Sequence, residues 1–190
     1  MRCVYLFCAD GFEEVEGLTA VDLLRRAGAD VKMVSIMGRK KVTSSHGISV
    51  ETDLLIEELK DEADMLVLPG GLPGTDYLRE HAGLADLLTK QYAEGRWVAA
   101  ICAAPSVLGG LGFLKGRNAT SYPGCLDKVE VGCYKEEPVV VDGNVITSRG
   151  VGTAIPFALK LTEVLFGRQK AEEIAASIVF AREESYGAGQ

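Results

Sequence analysis

The sequence predicts an α/β fold on a mainly parallel sheet, as a single domain over 1–190. Three observations predict it. Short apolar runs alternate with helical stretches along the whole chain. Two of those runs, Met65 to Leu68 (MLVL) and Val98 to Ile101 (VAAI), are apolar at every position, as parallel strands covered on both faces must be. Glycines stand where the helical patterns stop, at Gly28, Gly95 and Gly167.

Cys3 to Cys8 (CVYLFC) is the first strand. Glu14 to Ala27 is a helix that ends at Gly28, and Val31 to Ile36 is the second strand. Lys41 to Val50 reads as a hairpin turning at His46-Gly47. Met65 to Leu68 follows, then a helix over Gly83 to Ala93, then Val98 to Ile101. Val139 to Val141 and Val145 to Thr147 flank Asp142-Gly143-Asn144, a hairpin turn signal. The chain closes on helices over Thr153 to Phe166 and Gln169 to Ser177, the second rich in good helix formers.

Composition narrows the function. A hydrophobic share of 47% and a charged share of 25% exclude a disordered chain, a fibre and a membrane span. A net charge of -7 argues against a nucleic-acid partner, because phosphate binding leaves a basic footprint. Two histidines do not make a His-rich metal centre. Five cysteines cannot all pair within one chain, and no two have C-x-x-C spacing. Free thiols point to a reducing, cytoplasmic compartment. The opening apolar run is too short for a secretory signal, so the sequon at Asn118 reads as an accident.

In a parallel α/β sheet, ligands bind at the carboxyl ends of the strands. Val98 to Ile101 runs straight into Cys102-Ala103-Ala104-Pro105. A nucleophile on a sharp strand-to-helix turn needs small neighbours, and Ala100, Ala103 and Ala104 supply them. Amides at the start of the following helix would favour a Cys102 thiolate. The competing reading is a small buried cysteine packed as a hydrophobe. Met65 to Leu68 ends in Pro69-Gly70-Gly71, where a backbone amide can face a ligand. The amides of Gly71 and Ala103 would form an oxyanion hole, or the glycines form a plain tight turn. After the first strand, Glu16 heads an apolar stripe with Ala20, Leu23, Leu24 and Ala27. A carboxyl there is desolvated and its pKa rises, unless the side chain reaches solvent from the helix end. Glu14 points away from that stripe, and Glu13 reads as a wet acid at the helix start. His81 reads as solvated. No phosphate-binding loop occurs. Gly150-Val151-Gly152 fails the dinucleotide fingerprint, because Ile155 holds the third glycine position.

These residues resemble the ThiJ/PfpI superfamily, in the branch of the parkinsonism-associated deglycase and the bacterial ThiJ-like proteins. The resemblance runs from about Arg2 to about Ala181. It is carried by GFEEVE at Gly11 to Glu16, VDLLRRAG at Val21 to Gly28, VLPGG at Val67 to Gly71, AAICAAP at Ala99 to Pro105, and TSRGVGTA at Thr147 to Ala154. It implies a flavodoxin-like sandwich, akin to class I glutamine amidotransferases, and a homodimer. It implies that Cys102 is the nucleophile, that Glu16 donates a hydrogen bond to its sulfur, and that Gly71 and Ala103 supply the oxyanion-hole amides. The activities implied are glyoxalase and protein deglycase chemistry on 2-oxoaldehydes or their adducts, with no cofactor and no metal, and oxidative-stress sensing. The partners are then a small carbonyl compound or a glycated protein. One position departs: Tyr122 stands where many members place a histidine. That disfavours a Cys-His peptidase or amidotransferase and moves proton handling onto Glu16. The alternative to an enzyme is a redox sensor or chaperone that uses an oxidisable Cys102.

Overall fold

The structure, a computed structural model, describes residues 1–60 and 62–180; the resemblance's far end at Ala181 lies outside them. The sheet strands are β1 (Cys3–Cys8), β2 (Asp30–Ser35), β5 (Leu54–Leu55), β6 (Met65–Leu68), β7 (Trp97–Ile101), β10 (Val139–Asp142) and β11 (Val145–Ser148). They lie in the order β10-β11-β7-β6-β1-β2-β5. Every pairing is parallel except β10 with β11, the hairpin at the edge. The expected flavodoxin-like α/β arrangement is borne out.

Strand alternation fills two cores. Tyr5, Phe7, Leu66, Leu68, Val98 and Ala100 point to one face, and Val4, Leu6, Met65, Val67, Ala99 and Ile101 to the other. This period of two explains why these runs are apolar throughout. On the first face lie α2 (Gly74–Glu80), α3 (Ala82–Ala93) and α4 (Pro105–Gly110), anchored by Leu78, Leu84, Leu88, Val107 and Leu108. On the second lie α1 (Glu14–Arg26) and α5 (Ala154–Phe166), anchored by Ala20, Leu24, Phe157 and Leu161. Helix α6 (Arg168–Ser177) packs outside them through Ile174 against Leu23, Ala27 and Ala158. Among the described residues no helix is long and apolar enough to cross a membrane.

Several elements depart from the sequence reading. Helix α2 was not foreseen: only seven residues long, it follows Pro69-Gly70-Gly71-Leu72-Pro73, and the breakers masked it. Tertiary contacts hold it, with Leu78 buried and the Thr75 amide donating to the Gly71 carbonyl at 2.9 Å. β5 and the parallel pair β8 (Asn118–Ala119) with β9 (Cys133–Tyr134) are two residues each, below what periodicity can register. The 41–51 hairpin forms as β3 (Lys41–Thr43) and β4 (Ser49–Glu51), with Gly47 at φ 79 in its turn. His81 is not simply solvated. It caps α3, its Nδ1 accepting the Leu84 amide at 3.0 Å.

The chain runs from β1 outward through β2 to β5, then returns to the other side of β1 with β6, β7 and β11. The reversal between β1 and β6 opens a crevice at the strands' carboxyl ends. Residues 9–13, 69–73, 102–104 and 149–153 meet there.

Candidate active site

Cys102 follows β7 directly and sits at φ 65, a left-handed conformation that costs a non-glycine residue of order 1–3 kcal/mol. The surroundings fix it. Its amide donates to the Ser148 carbonyl at 3.0 Å, and its carbonyl accepts the Tyr122 amide at 2.8 Å. Ala100 and Ala104 are fully buried beside it, which is why only small residues fit. The predicted elbow is therefore present, although the helix it leads into, α4, has only six residues.

Glu16, in the first turn of α1, is 1% exposed. Its Oε2 accepts the Gly70 amide at 2.9 Å. Its Oε1 is buried with no hydrogen-bond partner among the described residues, and Cys102 is the side chain the carboxyl faces. Burial, more than any other cause, raises the carboxyl to about 7; the Gly70 amide and Cys102 oppose that rise, and the charge of Glu13 adds to it. The stripe reading of Glu16 holds, and the alternative of a solvent-reaching acid does not.

The Cys102 thiol behaves otherwise than its amides alone imply. The amides of Ala103 and Gly71 lie beside the sulfur and favour the thiolate. Burial first, and then the neighbouring Glu16 charge, outweigh them and push the thiol up to about 12. The physical reason is a second negative charge placed beside the first in a poorly hydrated site. Glu13 is likewise not a wet acid. It is 8% exposed and caps α1, accepting the Val15 amide at 3.4 Å. Glu14 is as buried, facing the hairpin tip. There the single Ser45 hydroxyl is shared between the two carboxylates, 3.2 Å from Glu13 and 3.4 Å from Glu14, and His46 Nδ1 lies 3.0 Å from Glu14 and 3.6 Å from Glu13. The donor atoms of Glu13, Glu14 and His46 lie within 4.8 Å of one another, the described set with the makings of a metal site. The serine and imidazole already occupy those carboxylates.

Sequence reasoning gave Gly71 a role and overlooked Gly70. Gly71 is at φ +90, and a Cβ there would stand 2.5 Å from the Glu13 nitrogen and the Gly11 oxygen. A Cβ on Gly70 would stand 2.6 Å from Cys102 Cβ and 2.8 Å from Glu16 Oε2. Gly70 is thus the spacer that lets nucleophile and acid approach. Gly70→Ala is expected to destabilise the protein by about 1–3 kcal/mol, an overpacking cost. Thermal melting should show a lower Tm and iodoacetamide a changed Cys102 labelling rate; an unchanged pair of values contradicts the spacer role.

A cleft of about 560 Å³ opens over these groups, lined by Glu13, Glu16, Gly71, Cys102, Tyr122, Pro123 and the 149–153 turn. Gly150 roofs it: a Cβ there would come within 4.0 Å of Cys102 Sγ and 3.9 Å of Glu16 Oε1. Neither histidine lines it. The cysteines Cys8, Cys102, Cys125 and Cys133 are free thiols.

The sequence profile of the DJ-1/PfpI family matches residues 2–164. The chain belongs to the DJ-1/PfpI family. Within this family it is 41% identical over 184 residues to the protein dj-1beta of Drosophila melanogaster, covering 95% of this chain and 98% of that protein. It is 40% identical over 182 residues to DJ-1 homolog A of Arabidopsis thaliana, covering 94% of this chain and 46% of that one, so the chain spans about half the plant protein's length. A Pyrococcus abyssi relative, 38% identical over 166 residues with 85% of this chain and 98% of that protein covered, is named a deglycase. Among solved structures, oxidised Toxoplasma gondii DJ-1 superposes with TM-score 0.92 at 38% identity, over 96% of this chain and 100% of that one.

Proposed function

We propose that the protein is a cysteine-dependent, cofactor-free enzyme of the glyoxalase/deglycase type, acting on 2-oxoaldehydes or their adducts. The observation that carries this reading is the pairing of Cys102, on its strained elbow, with the buried Glu16 across Gly70. Burial keeps Glu16 protonated to about pH 7, and burial and the Glu16 charge then hold back the Cys102 thiolate, so above pH 7 the pair holds one proton between them. With that proton on Glu16, the carboxyl donates to a thiolate that the Gly71 and Ala103 amides also stabilise.

For methylglyoxal, the thiolate adds to the aldehyde carbon and forms a C–S bond. The developing oxyanion is held by the two amides and takes the Glu16 proton. The Glu16 carboxylate then removes the hydrogen from that carbon, giving an enediol. Returning a proton to the neighbouring carbon leaves a lactoyl thioester on Cys102. Water cleaves the thioester, releasing lactate and the thiol; the sum is methylglyoxal plus water to lactic acid, with no external oxidant. A carboxyl near 7 serves both directions of transfer at neutral pH.

The test is lactate formation from methylglyoxal by the purified protein, above the rate of a free thiol at equal concentration. No excess over that background overturns the reading. Tyr122 stands 55% exposed on the rim. Tyr122→Phe is therefore expected to retain activity within about threefold; a loss beyond about a hundredfold, the size of a general-base effect, would place the phenol in the chemistry.

A second reading, redox sensing through Cys102, draws on the oxidised state named for the Toxoplasma relative. A protonated Glu16 would donate to a Cys102 sulfinate and stabilise it. Homodimeric assembly and a cytoplasmic location are proposed with it, from the family resemblance and from an odd cysteine count that one chain cannot pair completely.

A further inference from the structure

We propose that Arg149 makes this cleft an anion-accepting one, so that the preferred carbonyl substrate carries a carboxylate or phosphate group beyond its reacting aldehyde. The inference deepens the glyoxalase-type reading and rests on it for the aldehyde. Every other arginine among the described residues lies within 4.0 Å of an aspartate or glutamate. Arg149 has no such partner among them. Among the described residues its guanidinium has a single long hydrogen bond, 3.5 Å to the Glu136 carbonyl. It is partly buried and lines the same cleft as Cys102.

Its position is built. The preceding residue, Ser148, accepts the Cys102 amide, and Arg149's own amide donates to Thr153 Oγ1 at 3.2 Å. The segment that carries the guanidinium is therefore tied to the elbow that carries the nucleophile. The acidic groups of the cleft are already engaged: Glu16 by Gly70 and Cys102, Glu13 by Ser45 and the nearby His46. The guanidinium is left with donors to spare, and its planar fork matches a carboxylate or phosphate. In a chain of net charge -7, an anion gains nothing from the overall field and needs a local cation. A cleft of about 560 Å³, with Tyr122, Pro123 and Val151 along it, also has room well beyond three carbons.

The experiment compares kcat/KM for three 2-oxoaldehydes: one with a terminal carboxylate, its neutral methyl ester, and one with a terminal phosphate. An anionic substrate is expected to exceed the ester by roughly tenfold or more, the size of one charge-assisted hydrogen bond. The better anion identifies the group. Arg149→Gln should bring the anion-to-ester ratio toward one, and Arg149→Lys should keep part of it. A second arm needs no turnover: inorganic phosphate and lactate, at constant ionic strength, should slow iodoacetamide labelling of Cys102 in the parent but not in Arg149→Gln. Protection that requires Arg149 in a protein without turnover would sink the reaction and keep the anion site. Turnover with no anion preference and no protection, or both retained in Arg149→Gln, would overturn the site and leave the reaction standing.

Discussion

Cys102→Ala is expected to lower methylglyoxal turnover by at least about a thousandfold, some 4 kcal/mol of barrier. Covalent addition is the step that everything else in the site serves. The Gly71 and Ala103 amides lie beside the sulfur, and the buried Glu16 carboxyl faces it. Without the sulfur the amides and the acid face a carbonyl that has nothing attached to it. Labelling gives an independent check. Brief iodoacetamide treatment above about pH 7, where the Glu16 and Cys102 pair has given up its first proton, should modify Cys102 first, because the thiolate tautomer has the protonated Glu16 and two amides beside it. Cys8 is fully buried, out of the reagent's reach, and burial raises the Cys125 thiol without the amides that favour the thiolate at Cys102. Cys133 is exposed and is the informative competitor. If mass spectrometry finds Cys133 or Cys125 labelled ahead of Cys102, the paired site does not activate its cysteine.

Glu16→Gln should cost about a hundredfold or more in rate, since the amide cannot exchange a proton with substrate carbon. The same substitution has a stability signature with a definite sign. The folded-state carboxyl is raised to about 7 from 4.5. Below pH 4.5 both folded and unfolded chains keep the proton, and the full contribution is present. Between 4.5 and about 7 the unfolded chain releases it while the folded chain holds it, so stability falls as pH rises. The loss amounts to about 3 kcal/mol at neutral pH. Carboxylates held low by partners, such as Asp10 beside Arg39 and Asp142 beside the Asn118 amide, give the opposite slope in both proteins. The difference between parent and Glu16→Gln in urea midpoints from pH 4 to 8 isolates Glu16. Parallel curves would mean that Glu16 ionises as freely as a surface acid.

Much of this was legible in residue order. Strand positions followed from unbroken apolar runs, and helix ends from glycines. Cys102 stood out because three alanines surround it, and Glu16 because it heads an apolar stripe. What stayed illegible was short or depended on partners from far along the chain. Helix α2 is held by contacts with residues its own seven cannot signal. Gly70 could be seen as half of a glycine pair, yet its spacer role needs Cys102 and Glu16 to arrive from either side. Arg149 lay inside a matched block, but that it has no carboxylate partner among the described residues emerges only from the folded arrangement.

By itself, then, the sequence determined the sheet, its helical cover and the residues that could bear chemistry, because periodicity and turn chemistry are local. Tertiary structure decided which of them share an environment. It turned Glu13 from a surface acid into a buried cap, made His81 a helix cap, and set burial and the charge of Glu16 against the amides at Cys102. Those outcomes depend on distance and desolvation between groups remote in sequence, and no local pattern encodes either.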